Sequence, residues 1–204
     1  MDREAVASLY RDGVNAIVAT TDAFDDAAWV RPACGKWNAA DTARHLLGVA
    51  RWYEAWLGRA IAGDTSAPFA ESAIDQRNDQ EIDELQGVSG PIAIAKFEQA
   101  ANDYLQRAIA RWDLPFAYPF GVVTVGLHLG VAATEWHLHA FDLARSTSQT
   151  DSPNNPEALF LAAGACVAQT KPAFQRAALR KLVSLGARRK PWRTIVRQSG
   201  RTNI

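Results

Sequence analysis

Residues 121–147 read GVVTVGLHLGVAATEWHLHAFDLARST, and the fold turns on how this stretch is read. Taken as one long helix, it sets Glu135 and His139 four residues apart near its middle. That spacing stacks the two side chains on one helical face, one turn apart. A carboxylate and an imidazole so placed grip one divalent ion, as the paired histidines of an H-E-x-x-H helix do. Two ligands do not make a site. Besides His139, the histidines of the chain are His45, His128 and His137. His137 turns about 200° away from Glu135 around the axis, and His128 shares the face but sits roughly 10 Å up the helix. His45, on another segment, is the best third ligand.

The stretch has no sharp beginning. Val122, Val123, Thr124 and Val125 are β-branched and equally suit an extended start. Gly126 and Gly130 would each weaken a helix by up to ~1 kcal/mol unless a neighbour approaches closely, so the pair predicts a tight helix–helix contact. Just upstream, Pro115 and Pro119 break the helical pattern. Before them, Ile94, Phe97, Ala101, Tyr104, Leu105 and Ile109 recur at helical spacing over 91–111, with Pro91 suited to the first turn. A short amphipathic helix is expected at 74–86 and a loop at 63–73. Further upstream, Asn38 is a good N-cap with Asp41 three residues later, predicting a helix from 39 to 61 that stops near Gly63. His45 lies inside that helix, and Val49, Trp52 and Trp56 continue along its face as an aromatic wall. Plain core packing accounts for the tryptophans as well as a pocket lining does. Val6, Leu9, Tyr10, Val14, Ile17 and Val18 predict a first helix over 3–22, and Trp29 anchors the connection after it. Downstream, Asn154, Asn155 and Pro156 open a helix near 157–169, and 172–186 is a candidate for another.

These elements predict an all-α fold: a four-helix bundle over 1–152, whose sites are built from side chains on facing helices, followed by C-terminal helices over 153–204. At 204 residues, 48% hydrophobic and 22% charged, the chain suits one domain with a sizeable core. No apolar run approaches the ~18 residues of a membrane span, and the acidic, amphipathic start is wrong for a secretory signal. Cys34 and Cys166 are too few for a disulfide framework and fit a reducing cytoplasm. The zero net charge hides an asymmetry: residues 1–170 hold all 22 acids against 12 Lys/Arg, while 171–204 hold 10 Lys/Arg and no acid. A basic tail can bind nucleic acid or phosphate, but Leu179, Leu182, Val183, Leu185, Trp192, Ile195 and Val196 want burial. Docking of the tail on its own acidic bundle is favoured, and nucleic acid is not the expected partner.

The stretch CGKWNAADTARHL, residues 34–46, resembles the Cys-Pro-Gly-Trp-Thr-x-x-Asp-x-x-x-His-Leu signature of the mycothiol-dependent maleylpyruvate isomerase family, within the DinB-like superfamily of metal-binding bundles. Cys34, Trp37, Asp41, His45 and Leu46 stand in the matching places, Asn38 replaces the capping Thr, and Gly35-Lys36 replaces Pro-Gly. A second signature, Glu-x-x-x-His-x-x-Asp-Leu, is met by Glu135, His139, Asp142 and Leu143. The ending PWRTIVRQSGR also looks like the Trp/Phe…Gly-Arg close of short family members. The resemblance implies a DinB-like bundle holding a divalent metal, usually zinc, on His45, Glu135 and His139. It also implies mycothiol or a related thiol as cosubstrate, added to a small electrophile by an isomerase or transferred by an S-transferase. The full isomerase carries a second α/β domain, for which the residues after 153 are too few and too helical.

Two histidines and a carboxylate around Zn²⁺ make chemical sense: the ion lowers the pKa of bound water to about 7 and deprotonates a coordinated thiol. Ni or Fe fits the same donors. Asp142, one turn beyond His139, is placed to orient an imidazole from behind or to pair with Arg145. His128 is a candidate acid/base in the same cavity, His137 a surface or interhelical residue, and Cys34 either a reactive thiol or a small buried apolar residue. Trp52, Trp56 and Arg77 are candidate substrate contacts, with Arg44 and Arg51 as other options for a carboxylate. No G-x-S-x-G supports a serine triad. The rival readings are a hydrolase of the same bundle and a non-catalytic metal-binding or stress-response module. A homodimer is the base-rate assembly.

Overall fold

In the computed structural model, residues 2–169 and 190–201 are described. Helix α1 (Arg3–Asp22) buries Val6, Leu9, Tyr10, Val14 and Ile17, the stripe its sequence predicts. Helix α2 (Ala39–Ile61) starts on a reciprocal cap: the Asn38 side chain accepts from the Asp41 amide at 2.8 Å, and Asp41 returns the contact to the Asn38 amide at 3.4 Å. Such a box satisfies two amides that the first turn leaves without partners. After the short α3 (Ile74–Glu84), α4 (Gly90–Ile109) buries Ile94, Phe97, Ala101, Tyr104 and Leu105. Helix α5 (Val125–Ser146) carries Glu135 and His139, and buries residues almost all the way round.

α1, α2, α4 and α5 form a four-helix bundle, with α1 packed on α5, α2 on α4, and the two pairs closed by α1 on α4 and α2 on α5. Its centre is Trp136, fully buried among Tyr10, Tyr53 and Phe97. α6 (Pro156–Gln169) lies along α5, and α7 (Pro191–Gln198) packs on α6. Ile195 and Val196 of α7 are buried, and Trp192 meets Phe141 edge-on at 5.9 Å. The expected helix over 172–186, with Leu179, Leu182, Val183 and Leu185, falls outside the described residues. No described helix is long and apolar enough to cross a membrane.

Two small hairpins adorn the bundle. In the first, β1 (Pro32–Cys34) turns at Gly35, whose φ is +57°, into β2 (Trp37–Asn38), and leads straight into α2. In the second, β3 (Pro115–Tyr118) pairs with β4 (Gly121–Thr124), Phe116 opposite Val123. The β-branched residues therefore take the extended option, and α5 begins only at Val125, where the Thr124 hydroxyl accepts from the Leu127 amide. One expectation needs correcting. Gly130 does face a helix, since a Cβ there would lie 3.0 Å from that of Ala162 on α6. Gly126 instead makes room for the Trp112 indole of the α4–β3 connection, 2.4 Å from where its Cβ would be. A ring, not a helix backbone, explains that glycine.

Candidate metal centre and aromatic cavity

Helix geometry places Glu135 and His139 as expected: a Glu135 carboxylate oxygen lies 3.8 Å from Nε2 of His139. Two ligands about 2.0–2.1 Å from one tetrahedral ion stand roughly 3.3–3.5 Å apart, so the pair is close to ligand spacing. The His45 ring comes in from α2, its centroid 5.0 Å from that of His139, and Trp37 of the first hairpin backs it at 4.7 Å. His45 is buried, and burial, followed by the positive charge of His139 and Arg201, holds its pKa well below the usual histidine value. It is thus a neutral imidazole with a lone pair to give. Glu135 is the exposed member, its side chain 42% exposed and without a hydrogen-bond partner among the described residues.

The other edge of His139 is differently furnished. Its Nδ1 lies 3.2 Å from an Asp142 oxygen, while Arg201 grips Asp142 through both nitrogens. Asp142 therefore pairs with Arg201, not Arg145, whose guanidinium lies over the Phe141 ring instead. Cys34 completes the cluster, its Sγ 3.8 Å from Arg201 Nη2, and it is only partly buried, not a core residue. Ligand atoms of Cys34, His139 and Asp142 all fall within 4.8 Å of one another, and the trio of His45, Glu135 and His139 is more open. The tighter trio is nevertheless the poorer cation site. Its carboxylate is already neutralised by a guanidinium, which would repel an ion seated there. Burial opposes charge on His139, but Asp142 and Cys34 outweigh it and raise its pKa to about 9. Asp142 is held well below the usual carboxylate range, since Arg201 and His139 overcome the burial that would raise it. A carboxylate behind a ligating imidazole fixes its tautomer and orientation.

Beside Glu135 and His45 opens a cavity of about 180 Å³, lined by Trp52, Trp56, Phe69, Tyr118, Phe120 and His128 among others. Trp52 and Trp56 stack at 6.0 Å along one wall, and Trp52 is tied by its indole N–H to Glu81. The second hairpin supplies Tyr118 and Phe120, which no helical periodicity could have connected with His45. His128 is 1% exposed, with Nδ1 2.7 Å from the Tyr104 hydroxyl. Burial lowers its pKa to about 3, so across neutral pH the ring is uncharged. His137 lies between helices, Nε2 meeting the Leu9 carbonyl of α1 at 3.2 Å. Arg77 is exposed, its guanidinium 5.9 Å from the Phe69 ring and outside the cavity lining. Arg44 is occupied by Asp41 and the Val88 carbonyl, and Arg51 is exposed. Nothing in local periodicity connects Arg201 with Asp142: the two are 59 residues apart, and a Gly-Arg pair in a tail carries no periodic signal.

Residues 10–144 match the family model described as the mycothiol maleylpyruvate isomerase N-terminal domain. Two solved structures share the fold. One is a mycothiol-dependent maleylpyruvate isomerase, with a TM-score of 0.63 and 17% identity over 81% of this chain and 69% of that one. The other is a histidine-to-alanine mutant of a mycothiol-dependent maleylpyruvate isomerase, with a TM-score of 0.62 and 16% identity over the same shares. No curated protein matches the chain.

Proposed function

Because the chain belongs to the mycothiol maleylpyruvate isomerase N-terminal domain family, we propose that it is a metal-dependent enzyme that adds a mycothiol-type thiol to a small electrophile, as an S-transferase or isomerase. The observation carrying this reading is the meeting of a neutral imidazole from α2 with a carboxylate–imidazole pair from α5 at the edge of an aromatic cavity.

His45, Glu135 and His139 would hold the ion, with zinc the metal best matched to this donor set. The ion, when bound, supplies a Lewis acid that keeps a thiol as thiolate at neutral pH. Everything else falls to the chain. His45 offers its lone pair because burial keeps it neutral. Asp142 orients the His139 ring from its Nδ1 side, and Arg201 orients Asp142. Glu135 presents a partly exposed carboxylate at the mouth of the site. Trp52 and Trp56 exclude water and give the electrophile a flat apolar wall.

Elemental analysis of the purified protein should find about one divalent metal per chain, lost in His45→Ala. Mycothiol should then be consumed with a model electrophile such as 1-chloro-2,4-dinitrobenzene, and His45→Ala should abolish that turnover. Stoichiometric metal without thiol consumption across a broad electrophile panel would overturn the reading.

A further inference from the structure

The charge of the cavity restricts what can enter it. Among the described residues no lysine or arginine lines it, and its one carboxylate is Glu135. An ion held by two neutral imidazoles and a carboxylate keeps one net positive charge, which a bound thiolate cancels. A dicarboxylate of the maleylpyruvate type would then surrender its hydration to a wall of rings with nothing to offset its charge.

One polar group at that wall has no partner. His128 lines the cavity, and its Nε2 is buried with no hydrogen-bond partner among the described residues. On the ring's other side, the Tyr104 hydroxyl is fully buried and bonds only to Nδ1 among the described residues. A buried phenol O–H needs an acceptor, and Nδ1 is the one at hand, so Tyr104 donates to it. The proton of the neutral ring is then on Nε2. The fold thus leaves one unpartnered ring N–H beside a largely aromatic cavity, whose other polar lining groups include Asn78, Tyr53 and Tyr118.

We infer that the site selects an uncharged aromatic electrophile bearing one hydrogen-bond-accepting oxygen, with its ring against Trp52 and Trp56 and its oxygen on Nε2–H of His128. That it is an electrophile rests on the thiol-transfer reading; the binding preference does not. His128 precedes Glu135 by seven residues, about 10 Å along the helix axis, so the reacting carbon and the accepting oxygen lie toward opposite ends of the bound molecule.

Equilibrium dialysis of the zinc-loaded full chain, saturated with 2-mercaptoethanol to fill the open metal position, tests this with 4-phenylbutan-2-one, which cannot add the thiol, its carbonyl-free analogue propylbenzene, and maleate. The ketone should bind about tenfold more tightly than the hydrocarbon, the worth of one well-placed hydrogen bond, and at least tenfold more tightly than maleate. His128→Phe should erase the ketone's advantage while leaving the hydrocarbon's affinity within about threefold, and His128→Gln, which keeps a donor, should retain part of it. Should His128→Phe fail to fold, His128→Leu, which likewise removes the donor, reads the same difference. Maleate binding as tightly as the ketone, particularly if Arg77→Gln weakens it, would overturn the inference. So would equal loss of ketone and hydrocarbon in the histidine variants. Ketone selectivity without thiol turnover would leave this inference standing and sink only the transfer reading.

Discussion

Arg201 grips Asp142 from the chain's last described segment, Nε to Oδ1 at 2.7 Å and Nη2 to Oδ2 at 2.5 Å. Their side chains are only 16% and 4% exposed. The tail thereby holds the carboxylate that faces Nδ1 of His139 at 3.2 Å. Removing one partner strands the other charge in a buried place, so Arg201→Ala should cost roughly 3 kcal/mol of stability in denaturant titrations. Arg201→Lys should recover only part, since an ammonium cannot reproduce the two-point grip. Wild-type stability in Arg201→Ala would show that the pair does not hold the tail.

Acid should weaken the metal-free protein well before the carboxylates titrate. Burial depresses the pKa of His128 to about 3, and that of His45 well below the ordinary value. Each is neutral when folded but gains a proton below about pH 6.5 when unfolded. Their contribution is whole above pH 6.5 and is lost as pH falls below it, at about 1.4 kcal/mol per unit for each histidine. Urea midpoints at pH 7 and 5 measure the slope, and His128→Gln should make it shallower by one histidine's share.

His139 behaves in the opposite sense. Its pKa is raised to about 9, so its favourable charge is fully present below pH 6.5 and is lost as pH climbs through 9. An ion ligated by Nε2 must displace that proton. Zinc affinity should therefore rise about tenfold per pH unit between 6.5 and 9, with close to one proton released per ion. Calorimetry in buffers of different ionisation heat counts the proton. A pH-independent affinity would mean that the metal does not bind through His139.

Gly126→Ala should destabilise although it sits within a helix. Alanine gains about 1 kcal/mol in helix propensity, yet its Cβ would lie 2.4 Å from the Trp112 ring. Overpacking of this kind costs about 1–3 kcal/mol, so the net change in thermal unfolding should be unfavourable. Gly58→Ala, with nothing within 4 Å of its added carbon, is the matched control and should stabilise.

The sequence by itself determined everything that obeys local periodicity or local chemistry. The 3.6-residue stripes give α1, α2 and α4, the Asn38–Asp41 box starts α2 at its observed residue, and the i, i+4 rule pairs Glu135 with His139. Those features depend on neighbours within one turn, so a linear string records them. Only the tertiary structure decided what sits around the pair. The aromatic enclosure is completed by the second hairpin, Trp112 fills the space left by Gly126, and Asp142 takes Arg201 as its partner. Each of those contacts joins residues on different segments. Burial and charge select such partners only after the helices have packed, when desolvation makes a buried carboxylate require a guanidinium within reach.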